Sequence, residues 1–85
     1  MIDTVTKESI EAKIKHTAYH ILEGTTTTVC SVTLTCGFVA VGLSACVDPA
    51  NFNKEIGEKY SREQAIDSLW ELECYLLAHK LAGLL

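Results

Sequence analysis

Hydrophobic and polar residues follow three successive patterns along the chain, which predict a helix, a hairpin and a second helix. Apolar residues recur at three- and four-residue spacing from 6 to 23, alternate from 25 to 45, and return to helical spacing from 49 to 81. Periods of 3.6 and 2 are typical of amphipathic helices and half-buried strands. The predicted fold class is therefore α+β, with an N-terminal helix, a two-stranded antiparallel hairpin and a long C-terminal helix.

The first segment, residues 6–23, has the spacing of one helix face. The residues on that face are Ile10, Ile14, Ala18, Ile21 and Leu22. Thr6 is placed to cap the first turn, because a threonine hydroxyl can accept a hydrogen bond from a free backbone N–H there. Gly24 is placed to end the helix.

The second segment predicts a hairpin that turns at Cys36-Gly37. A two-residue turn would place Leu34 opposite Val39 and produce one wholly apolar face, whereas a slip of one residue would mix the two faces. The residues of this apolar face are Cys30, Val32, Leu34, Val39, Val41 and Leu43. Cysteine is an unusual residue for the left-handed backbone of such a turn.

The third segment begins with a strong helix-start signal, Asp48 followed by Pro49. Gly57 weakens a helix interior by about 1 kcal/mol relative to alanine, and residues 61–64 have the spacing of a new capping box. These two features predict a helix or helix pair over residues 49–81, bent or interrupted near 57–61. Gly83 suits the C-terminal cap.

The length of 85 residues predicts one small domain, residues 1–85, because a second core usually needs a longer chain. A domain of this size buries a modest share of its surface, and an isolated hairpin is marginal in water. Strand edges also need a partner. We therefore expect a homo-oligomer, a dimer or higher.

The formal net charge of −4, with seven scattered basic residues, argues against a nucleic-acid or anionic-membrane partner. No apolar run approaches the ~18 residues of a spanning helix. The first ten residues have neither the basic end nor the apolar core of a secretory signal. These features predict a cytosolic protein.

No constellation of residues predicts catalysis, a metal site or a cofactor. The four cysteines, at 30, 36, 46 and 74, form no C-x-x-C pair and are expected to be reduced. His16 and His20 stand four apart, the spacing that brings two imidazoles together on a helix, but no clear third ligand accompanies them. A polar face is the favoured interpretation, and the chain is not expected to be an enzyme.

Two sets of residues remain as candidates for binding and for structure. The ligand-binding candidates, which offer hydroxyls and positive charge to a small anion, are Thr25, Thr26, Thr28, Lys59 and Arg62. The interface or structural candidates are Gly57, Trp70, Glu73 and Tyr75. The glycine would permit close approach, the indole would anchor a core, and the carboxylate, among apolar neighbours, needs a partner.

The runs "GTTTTVC", "GFVAVGLSACVDPANFNKEIGEK" and "LWELECYLL" resemble a family of small tailed-phage proteins named for gene sixty-six of phage Sf-six and gene forty-nine of phage N-four. The resemblance covers roughly residues 19–77. It implies a bacteriophage or prophage origin, and with the cytosolic character a location in the host bacterial cytoplasm, and it brings no catalytic residues to this chain. The family usually has Asn-Gly where this chain has Cys36-Gly37, and often Gly in place of Cys74.

Two functions follow as alternatives. The first is a non-enzymatic accessory protein that counters host defence by sequestering a nucleotide-derived signalling molecule at a subunit interface. The second is a protein–protein interaction or virion-associated module that binds a host or phage protein. A polar pocket between subunits would favour the first, and an apolar surface patch the second.

Overall fold

A three-stranded antiparallel sheet carries one long helix across one of its faces. The computed structural model describes residues 5–84. Its elements are α1 (Lys7–Glu11), β1 (Ile14–Ile21), β2 (Thr27–Leu34), β3 (Val39–Ala45), a 3₁₀ turn (Pro49–Asn51) and α2 (Lys54–Leu81). The strand order is β1-β2-β3. The α+β class is confirmed, but the sheet has three strands and not the predicted two.

The predicted helix over residues 6–23 is wrong, because most of that segment is β1. Only its first turn is helical: Thr6 caps α1 as expected, in a reciprocal capping box with Ser9. A bulge between Ile14 and His16 then shifts the phase of β1. Ile14 therefore shares a face with Thr17 and Ile21, and these intervals of three and four imitate a helix.

The predicted register of the hairpin is off by one residue. Thr33 pairs with Val39 and Val32 with Ala40. The Gly37 N–H donates to the Leu34 carbonyl, and the Leu34 N–H donates to the Phe38 carbonyl. With Gly37 at φ +93°, this is a three-residue loop with a bulge and not a two-residue turn.

One consequence of this register is that β3 turns its small residues toward the helix. The helix-facing side of the sheet carries Thr28, Cys30, Val32 and Leu34 from β2, and Ala40 and Gly42 from β3. A Cβ on Gly42 would overlap the Ser61 carbonyl oxygen and lie 2.6 Å from the Ala65 nitrogen. The helix therefore packs directly on the backbone of β3.

α2 runs from Lys54 to Leu81 without interruption, so the predicted start at residue 49 and the predicted interruption near 57–61 are wrong. Asn53 caps its start, while Asp48 caps the separate 3₁₀ turn. The helix ends at Leu81, and Gly83 follows in the left-handed conformation with the Leu84 N–H donating to the His79 carbonyl, so the prediction that this glycine terminates the helix is confirmed. Its 28 residues span about 42 Å at 1.5 Å per residue, whereas eight strand residues span about 26 Å.

The core lies between α2 and the helix-facing side of the sheet. Its buried apolar residues are Ile10, Cys30, Val32, Leu34, Ala40, Ala65, Ile66 and Leu69. Among the described residues of α2, none beyond Leu69 is buried. The last three turns of the helix therefore extend beyond the core and leave Leu72 and Tyr75 exposed.

Candidate binding surfaces

The sheet face that points away from α2 is uncovered by any described element, and we call it the open face. Its residues follow from the strand register: His16, Ala18 and His20 on β1; Val29, Ser31 and Thr33 on β2; and Val39, Val41 and Leu43 on β3. The three β3 side chains are 46%, 54% and 52% exposed. An apolar row of this kind on a sheet is typical of a surface that contacts another molecule.

The open face has no carboxylate, although the chain contains eleven acidic residues. None of the three strands contains Asp or Glu, and Lys15 is their only charged residue. Because no acidic group must lose its water, burial of this face against another apolar surface costs less desolvation free energy than burial of a face with carboxylates. The open face is therefore suited to contact with another molecule, and it carries no pair of an acidic and a basic side chain that could act together in proton transfer.

The three threonines that the sequence singled out occupy different environments. Thr25 lies in the β1–β2 turn and donates its hydroxyl to the Leu22 carbonyl. The Thr26 hydroxyl donates to the Cys46 carbonyl at 2.5 Å. Thr28 is fully buried, and its hydroxyl has no hydrogen-bond partner among the described residues. A ligand on the surface could therefore reach the first two hydroxyls and not the third.

The two basic candidates lie on α2 and are not directed at the threonines. The Arg62 guanidinium pairs with Glu11 at 3.1 Å and so ties α1 to the middle of the helix. The Lys59 ammonium lies 5.7 Å from the ring centre of Tyr60, within the range of a cation–π contact. The structure does not gather the five predicted ligand residues into one pocket, and their binding role stays a prediction.

The structure shows the surroundings of the four interface or structural candidates. Gly57 lies against Thr28, where an added Cβ would come within 2.5 Å of the hydroxyl oxygen. Trp70 packs against the core, and Glu73 forms a salt bridge with Lys13 at 2.6 Å. Tyr75 is 67% exposed, with its ring 4.3 Å from that of His79. The interface role of these positions stays a prediction. The open face was not predicted from the sequence, because the wrong register placed Val39, Val41 and Leu43 in the core.

The histidines and cysteines are dispersed. His16 and His20 lie on a strand, where four residues span about 13 Å, so their spacing no longer brings two imidazoles together. Within residues 5–84, no group of three or more His, Cys, Asp or Glu side chains is placed to hold a metal ion. All four cysteines are unpaired. Burial raises the pKa of the Cys30 thiol and also that of the Tyr19 phenol.

One cavity of about 220 Å³ lies where β3 leads into α2. Thr26, Ser44, Asn51 and Tyr60 contribute polar groups to its wall, and Phe52 and Ile56 contribute apolar ones. Its volume is below the ~300–1,000 Å³ of common small-molecule sites. On its own, the cavity suits a fragment and not a whole nucleotide.

Comparison with known protein families identifies the family of this chain. The model of the phage protein family described as N4 Gp49/phage Sf6 gene 66 matches residues 5–81. The chain belongs to this phage family. No curated protein and no solved structure shows a significant match. Among the described residues of this Gp49/gene 66 family protein, no helix is long and apolar enough to cross a membrane.

The run that carries most of the resemblance, residues 44–57, has structural roles in this family member. Asp48 accepts a hydrogen bond from the Ala50 N–H, and Asn53 accepts them from the first N–H groups of α2. Gly57 permits the helix to approach Thr28. The same run forms most of the wall of the 220 Å³ cavity.

Proposed function

We propose that this phage protein is a non-enzymatic accessory protein that acts by binding a host or phage protein through the open face of its sheet. One observation carries the proposal: Val39, Val41 and Leu43 form an exposed apolar row on a surface without carboxylates. Such a row costs solubility if it remains uncovered. The partner expected to cover it has an apolar surface of its own.

The test compares capture by the wild-type protein with capture by two single variants. Val41→Asp places a charge at the centre of the open face. Val47→Asp is the matched control, because Val47 is fully exposed but lies in the connection after β3, outside the open face. Both variants should keep the circular dichroism spectrum of the wild type, since both side chains project into solvent.

In lysate from infected cells, we expect one stoichiometric partner to be retained by the wild type and Val47→Asp and lost from Val41→Asp. A buried unpaired carboxylate costs several kcal/mol, which corresponds to an affinity loss of more than about a hundredfold. Equal retention by both variants would contradict the proposal, as would the absence of any partner for the wild type.

The ligand-sequestering function is a second candidate, and the 220 Å³ cavity with Thr26 favours it. Since the cavity is small for a nucleotide, a second subunit would have to complete it. Calorimetry with cyclic dinucleotides and NAD-derived signals, on the wild type and Thr26→Val, tests this version. The absence of binding heat for every compound in this panel would exclude the ligand-sequestering function.

A further inference from the structure

The two edges of the sheet differ in how they are covered. At β3, α2 lies close to the strand, and the Gln64 side chain accepts a hydrogen bond from the outward Leu43 N–H at 2.6 Å. At β1, no described residue bonds to the outward backbone groups. Unpaired N–H and C=O groups along an edge are a template for another strand.

The outward groups of β1 can be assigned from the ladder. The Leu22 N–H donates to the Thr27 carbonyl, so residue 22 points toward β2. In an antiparallel pair, the backbone N–H and C=O groups of successive residues point alternately toward and away from the neighbouring strand. The groups of every second residue before Leu22 therefore point toward β2, and those of the residues between them point outward. In the regular part of β1, beyond the bulge, these are Thr17, Tyr19 and Ile21.

We propose that β1 pairs antiparallel with β1 of a second copy, about a twofold axis at Tyr19. This centre places Tyr19 opposite Tyr19 of the second copy, and Thr17 opposite Ile21 in both directions. All three outward residues then exchange two hydrogen bonds each with their partner. A centre at residue 18 or 20 would leave one of the three without a partner in the regular strand.

The charges at the two ends of β1 favour this arrangement. Lys15 precedes the regular strand and Glu23 follows it, and both are exposed. Antiparallel pairing about Tyr19 places Lys15 beside Glu23 of the second copy, whereas parallel pairing would place like charges together. The strands contain no other charged residue, and the two α2 side chains that border this edge, Lys54 and Glu58, carry opposite charges.

The space beside β1 can receive the second strand. A cavity of about 350 Å³ lies along residues 17–21, bordered by Lys54 and Glu58 at the start of α2. Tyr19 is 39% exposed and faces the helix side of this edge. Pairing would bury the two tyrosine rings against each other and join the two open faces into one six-stranded surface.

Disulfide trapping in the full chain tests both the pairing and its register. Cys36, Cys46 and Cys74 are first replaced by serine, which leaves only the buried Cys30. Tyr19→Cys should then crosslink to itself, since paired Cα atoms lie about 5.5 Å apart, within disulfide reach. Thr17→Cys is the matched control: it should not crosslink to itself but should crosslink to Ile21→Cys when the two are mixed.

Light scattering over about a hundredfold range of concentration gives an independent measure, because dimerisation follows mass action. We expect a dimer for the wild type, a weaker dimer for Lys15→Glu and for Glu23→Lys, and recovery in the double variant. A monomer at every concentration would overturn the proposal. So would equal self-crosslinking of Thr17→Cys and Tyr19→Cys, or a double variant no better than either single one.

Discussion

Replacement of Gly42 by alanine tests the close contact between α2 and β3. Ordinary van der Waals contact begins near 3.4 Å, and the new Cβ would lie 2.6 Å from the Ala65 nitrogen. The helix would therefore have to retreat by about 0.8 Å (3.4 minus 2.6), and a gap of this size forfeits a quarter to a half of each affected contact. The Ser61 carbonyl oxygen is closer still and requires a larger movement.

We expect Gly42→Ala to lower the free energy of unfolding by about 2 kcal/mol net, since overpacking against helix backbone costs about 3 kcal/mol, the upper end of the usual range. The gain of about 0.5–1 kcal/mol from removing a strand glycine offsets part of this cost. An 85-residue domain holds roughly 4–13 kcal/mol in total, so the loss is large enough for urea unfolding to resolve.

Two comparisons separate this explanation from a general effect of glycine replacement. Ser61→Ala should not rescue Gly42→Ala, because the obstructing atoms belong to the helix backbone. Gly57→Ala should be rescued in part by Thr28→Ala, because there the nearest obstruction is the Thr28 side chain. A Gly42→Ala protein as stable as the wild type would refute the reasoning.

Further predictions concern buried groups and the link between the N-terminal segment and α2. Thr28→Val should raise stability by about 1–2 kcal/mol in urea unfolding, since it removes a buried hydroxyl without a partner. Cys30 should resist thiol reagents that label Cys36 within the native protein. Because burial raises the pKa of Cys30 above its ordinary 9.0, stability should hold below pH 9 and fall as the pH rises further, less steeply in Cys30→Ala. Glu73→Gln should cost about 0.5 kcal/mol and reduce the salt dependence of the melting temperature, because the pair with Lys13 is partly exposed.

The elements with strong local signals were predictable from the sequence. The Thr6 cap, the strands β2 and β3 and the glycine that follows the end of α2 each depend on residues close in sequence, whereas Asp48 caps a 3₁₀ turn and not the predicted long helix. β1 was not predictable in this way, because its bulge disguises a strand as a helix and its pairing with β2 is a tertiary contact. Tertiary context overrides local spacing in such segments.

The register error has a different physical cause. The sequence argument assigned the large residues Val39, Val41 and Leu43 to the core, because large apolar side chains are usually buried. In the fold, the distance between helix and sheet selects Ala40 and Gly42 for the buried side. The exposure of Val39, Val41 and Leu43 on the open face follows from this packing and not from the hydrophobic pattern alone.

The Gln64 contact to the edge of β3 has a consequence for how far assembly can proceed. A sheet with two free edges can add strands at both ends and grow into a fibre. Here two copies joined through β1 would carry their Gln64-capped strands at both outer ends. A further copy could add there only by displacing Gln64 from the Leu43 N–H, which favours a closed pair over a growing fibre.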